Sequence, residues 1–101
     1  MSMTYEEFTA LVESKNAPSS SWPGPLRALW YAHKGNWEKA HRTAQDIPTQ
    51  DGSWIHAYLH REEGDHNNAR YWYSMACRSP SRASLSEELE DITRQLVERS
   101  Q

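Results

Sequence analysis

The stretch Trp54-Ile55-His56-Ala57-Tyr58-Leu59-His60-Arg61 decides the fold. Wound at about 100° per residue, Trp54, Ile55, Tyr58 and Leu59 make one broad apolar face. His56 and His60 lie beside it, one helical turn apart, and Ala57 extends its small-residue side. Only Arg61, Glu62 and Glu63, at the exit, belong clearly in water. A helix that is apolar or aromatic on most sides is normally wrapped by its neighbours. This one is therefore expected at the centre of the domain.

Its ends are marked on both sides. Pro48 and the cluster Gln50-Asp51-Gly52-Ser53 predict the start, with Asp51 or Ser53 as N-cap. Gly64 closes it, and Asp65 opens another helix of about 12 residues. That helix carries Ala69, Tyr71, Trp72, Tyr73, Met75, Ala76 and Cys77, so it too reads as apolar on most sides. Upstream, Pro25 suits a helix's first turn, where its missing N–H costs little. Leu26, Leu29, Trp30 and His33 share a face as far as Lys34, and Gly35 stops the helix. A further helix runs from Trp37 to Asp46, with Trp37, Ala40, Ala44 and Ile47 inward and His41 at the edge.

The two helix pairs repeat with a period of 29 residues: Gly35 aligns with Gly64, Asn36 with Asp65, Ala40 with Ala69, Ala28 with Ala57, and Leu26 with Ile55. An antiparallel pair needs a turn residue that accepts left-handed backbone and a small residue where the helices approach most closely. Both copies supply them. At Gly35-Asn36-Trp37-Glu38-Lys39-Ala40 and Gly64-Asp65-His66-Asn67-Asn68-Ala69 the chain resembles the tetratricopeptide/Sel1 class of helical repeats, with Pro80 near that class's closing proline. The period is shorter than the usual ~34 residues, and two copies need flanking helices to complete a core. Trp54 to Asp65, followed by Asn68 to Tyr73, is also similar to a family of small microbial helical proteins of unknown function; that likeness carries no activity across.

The flanks fit this plan. Thr4 with Glu7 has capping-box spacing, and Tyr5, Phe8, Leu11 and Val12 follow on one side, predicting a helix over 4–15. Residues 16–25 hold three prolines and a glycine and read as an irregular linker; Trp22 within it is expected to fold back onto a core edge. After a polar linker over 81–85, a helix runs over 86–99; Leu85 just before it and Leu89, Ile92 and Leu96 on it follow one seam, with Ser84 and Glu87 or Ser86 alone at its cap. Glu87, Glu88, Glu90 and Asp91 suit the N-terminal dipole. The seam caps the repeat stack or pairs with a second copy in a homodimer.

Composition narrows the function classes. The chain has 101 residues, 37% hydrophobic, with five Trp and five Tyr, so aromatics must supply much of the burial at about 150–250 Å² each. A net charge of −3 lacks the basic face of a nucleic-acid binder. No apolar run approaches the ~20 residues of a membrane span, and the polar N-terminus shows no signal-peptide pattern. A single cysteine, Cys77, cannot form an internal disulfide and suits a reducing cytoplasm; it reads as a small buried hydrophobe.

Two chemistries compete for the histidines. His56 and His60 have the helical spacing that lets two imidazoles share a metal, and His33 and His41 lie across a turn and could converge. A zinc site needs a third ligand, from Glu63, Asp65, His33 or His41. The simpler expectation is buried imidazoles in a polar network that fixes helix register, with no cofactor. No phosphate loop, dinucleotide fingerprint or nucleophile elbow is present.

The sequence thus predicts one all-α domain: two tetratricopeptide-like hairpins over 25–80 between N-terminal and C-terminal helices. In the resembled class the first helix of each pair lines a concave surface. Here that surface would offer Leu29, His33, Trp54, Tyr58, Arg61 and Glu62 to another protein or peptide. The expected role is a non-catalytic interaction module; the alternative is a metal- or histidine-dependent hydrolase near His56 and His60.

Overall fold

Six helices and no strands make up residues 3–99, which the computed structural model describes. They are α1 (Tyr5–Ser14), α2 (Gly24–His33), α3 (Trp37–Gln45), α4 (Gln50–Glu62), α5 (His66–Met75) and α6 (Leu85–Arg99). None of them is long and apolar enough to cross a membrane. Helix α4 touches α2, α3, α5 and α6, and every residue from Trp54 to His60 is buried. The all-round apolar helix of the sequence is the enclosed one. Burying each of Trp54, Ile55, Tyr58 and Leu59 contributes on the order of 1.5–3 kcal/mol.

The two interhelical turns are built alike. Gly35 and Gly64 have φ of 76° and 86°, a left-handed backbone that a side chain would strain. In each, the next residue's N–H reaches back to close the helix: Asn36 to the Tyr31 carbonyl and Asp65 to the His60 carbonyl, both at 2.9 Å. Those same residues then cap the following helices, Asn36 accepting from Lys39 N–H and Asp65 from Asn68 N–H, both at 3.2 Å. Ala40 and Ala69, both buried, follow each turn in the first half of the helix it opens.

Several local expectations need correction. Helix α4 begins earlier than predicted: Thr49 is the N-cap, and Gln50 to Ser53 are already helical. Gly52 sits in that first turn because a Cβ there would come within 2.6 Å of the Ile47 Cβ and carbonyl oxygen. Helix α5 is not apolar all round. It buries only Ala69 and Tyr73, while Tyr71 is 55% and Met75 49% exposed. Cys77 is exposed rather than buried. The helix has already ended, and Cys77 takes a left-handed φ of 58° so that Arg78 N–H can reach the Tyr73 carbonyl at 3.0 Å.

The flanking helices close the core. In α1 the Thr4–Glu7 capping box forms as spaced, and Phe8 and Val12 are buried. Trp22 folds back from the linker to stack on Phe8 at 5.6 Å. Helix α6, capped by Ser84 accepting from Glu87 N–H at 3.1 Å, packs against α1, α2 and α4. Its seam is Ile92 and Leu96, both buried, with Leu89 half-buried and Leu85 near the surface.

Candidate metal centre

Three imidazoles meet where α3 lies along α4. Trp37, the first residue of α3, donates its indole N–H to the Leu59 carbonyl at 2.7 Å and pins the start of α3 to α4. One turn on, His41 stacks on the Trp37 ring with centroids 4.7 Å apart and planes 10° from parallel. That stacking holds His41 edge-on to His56, with the two Nε2 atoms 2.9 Å apart. His56 in turn lies flat on the Trp72 indole of α5, centroids 4.0 Å apart.

His60, one turn beyond His56, completes the group at ring distances of 4.8 Å from His56 and 5.2 Å from His41. Its Nδ1 is 2.7 Å from the Glu63 carboxylate, so Nε2 is the nitrogen without that partner. One ring nitrogen from each of His41, His56 and His60 lies within 4.8 Å of the others. Each ring is thus oriented by something other than its two partners: Trp37, Trp72 or Glu63. The small residues Ala40, Ala57 and Ala69 on α3, α4 and α5 are all buried.

The surroundings favour the uncharged form of two of these rings, His56 and His41. Burial, reinforced by His41 and His60, pushes the His56 pKa down to about 4. Burial first and then His60 lower His41, with Glu63 opposing. Neutral imidazole is the form with a lone pair to give a metal. A second grouping, His60 with Glu63 and Asp65, also comes together, but its carboxylates are occupied. Glu63 holds His60, and Asp65 accepts from both the backbone and the side-chain amide of Asn68.

His33 does not join them. It lies against α6 and α1 instead, 2.8 Å from the Thr93 hydroxyl and edge-on to Phe8, and burial takes its pKa down to about 4. The expected approach of His33 to His41 across their turn is therefore not observed. The third imidazole beside His56 and His60 is His41.

The surface expected to receive a partner is covered by α6. Leu29, Trp54 and Tyr58 are buried. His33 meets Thr93 of α6, and Arg61 meets Glu88 of α6 at 2.9 Å. Of the six residues expected on that surface, Glu62 alone is exposed. Sequence reasoning gives Glu88 only a place near a helix N-terminus, yet it is the polar centre of this interface. Its carboxylate, 3% exposed, also accepts from Tyr73 O–H at 2.6 Å and Trp54 N–H at 3.3 Å. The available signal is its position one turn before Ile92, on the buried seam. Arg61 also donates to the Ala83 carbonyl, and Arg78 lies over the Trp54 ring at 3.3 Å.

Compared with protein-family models, curated proteins and solved structures, the chain finds no match. Function therefore rests on the geometry of the site.

Proposed function

We propose that this domain binds one divalent transition-metal ion through His41, His56 and His60. The observation that carries the reading is the convergence of three ring nitrogens within 4.8 Å, from two helices. A tetrahedral zinc ion with Zn–N bonds of 2.0–2.1 Å needs ligand nitrogens about 3.3 Å apart. The His41–His56 pair at 2.9 Å has to open by a few tenths of an ångström, and the His60 ring, stacked on that of His56 with planes 24° from parallel, has to turn until its free nitrogen points at the ion. Both nitrogens of that pair must then present lone pairs, so the proton they share moves to the outer nitrogen of one ring. Glu63 on His60 is the carboxylate–histidine arrangement that orients metal ligands elsewhere.

Imidazole ligands favour zinc, copper or nickel, whereas magnesium and calcium require oxygen. The tetratricopeptide-like hairpins are then the framework that brings α3 against α4. A cytoplasmic setting suits the exposed, unpaired Cys77.

A second reading, a protein-interaction module, is favoured by a different observation. Tyr71 and Met75, one turn apart on the outer side of α5, are large apolar side chains left exposed. On this reading the contact surface is α5, since α6 already covers the α2–α4 face.

The test is a competition titration of zinc against a chromogenic chelator, using the untagged chain and His56→Ala. The metal reading predicts one site, lost in the variant while the helical circular dichroism persists. Equal zinc uptake by both proteins would contradict it.

A further inference from the structure

The histidine cluster offers an ion three protein donors, and zinc is most often four-coordinate. Structural zinc sites are closed by a fourth protein ligand, whereas catalytic ones keep that position for water or substrate. Among the described residues, no fourth His, Cys, Asp or Glu falls within the set formed by His41, His56 and His60. The other candidates are committed elsewhere. Glu63 is held on Nδ1 of His60, and His33 is bonded to Thr93. Cys77 is exposed beyond α5, next to Gln50 at the opposite end of α4 from His60.

The cluster is also not sealed. His56 and His60 are buried, but His41 is half-buried, as are the flanking indoles of Trp37 and Trp72. Trp37 backs His41, and Trp72 backs His56. Of the three histidines, His41 is the one partly exposed to solvent.

Resting on the three-imidazole reading, we infer that the bound ion keeps one exchangeable coordination position, filled by water and open to small monodentate anions such as azide or a carboxylate. Three neutral ligands leave the ion's full double positive charge in place, which favours an anionic fourth ligand. The same charge promotes loss of a proton from the bound water to solvent, toward neutral pH for zinc. The centre is then a Lewis acid with a reachable position, in contrast to a purely structural clip.

Cobalt(II) tests this, because its visible absorption reports both binding and the number and kind of ligands. The full-length untagged chain is loaded with cobalt and titrated with sodium azide, at several protein concentrations. The expected result is a visible spectrum that is absent in His56→Ala and that azide shifts saturably, with one azide per ion, independently of protein concentration. Cobalt bands that azide leaves unchanged would overturn the open position while leaving metal binding intact. An azide response that disappears as protein concentration rises would overturn it too, since a side chain of a second copy would then be closing the site. Absence of cobalt bands would remove the three-imidazole reading itself.

Discussion

The Arg61 guanidinium of α4 donates to the Glu88 carboxylate of α6 at 2.9 Å, and Glu88 is 3% exposed. Removing one member of a buried ion pair leaves the other desolvated without a partner, at a cost of about 3–5 kcal/mol. Glu88→Ala would also orphan the Tyr73 and Trp54 donors. Urea unfolding of Glu88→Ala is expected to show a loss of at least about 3 kcal/mol. An Arg61→Ala/Glu88→Ala double variant should lose much less than the sum of the two single losses. Additive losses would mean that the pair does not hold α6 to α4.

Gly52 and Ile47 make a prediction whose sign opposes helix propensity. Ala normally exceeds Gly by about 1 kcal/mol inside a helix. A Cβ at Gly52 meets the Ile47 Cβ and carbonyl oxygen at 2.6 Å, and a backbone oxygen cannot swing aside. Gly52→Ala should therefore destabilise by about 1–3 kcal/mol, as overpacked sites do. A raised melting temperature would show that α4 does not start against Ile47.

Two left-handed residues should respond in opposite directions. A Cβ added at Gly64 would meet nothing within 4 Å, yet the backbone there has a φ of 86°. Gly64→Ala should therefore lose about 1 kcal/mol through backbone strain alone. Cys77 already carries a side chain at φ 58°, and Cys77→Gly should gain a similar amount. Thermal melts of the two variants side by side check this. Shifts of the same sign would be inconsistent with the turn geometry.

His33 sets a pH dependence away from the histidine cluster. Burial lowers its folded pKa from the ordinary 6.5 to about 4. The unfolded chain thus binds the extra proton first as pH falls. Stability from this group is fully present above about 6.5, declines through the interval, and is lost by about pH 4. His41 and His56 are lowered too and act in the same direction. Urea midpoints should fall between pH 7 and pH 5, and His33→Gln should flatten part of that slope. An unchanged slope would mean that His33 titrates as an exposed imidazole does.

The parts of this fold that are legible in the sequence are those with a local cause. The enclosed helix shows in the Trp54–Leu59 pattern, and the matched turns show in Gly35 and Gly64, because periodicity and left-handed backbone are written residue by residue. What stays hidden depends on which elements meet. Glu88 suits a helix N-terminus on its own, and only the docking of α6 on α4 makes it a buried acceptor. His41 reads as an edge residue of α3, and its partners are fixed by how one hairpin lies on the next. Cys77 reads as part of a buried helix face, but the chain leaves the helix first and Ala76 takes the inner place.

The most direct measurement is a long-range proton–nitrogen NMR correlation of the histidine rings, before and after adding zinc to the untagged chain. The account predicts that the ligating nitrogens of His41, His56 and His60 move together to the metal-bound range, while His33 and His66 stay in place. Movement of His33 or His66 instead, or stationary signals for the three, would contradict it.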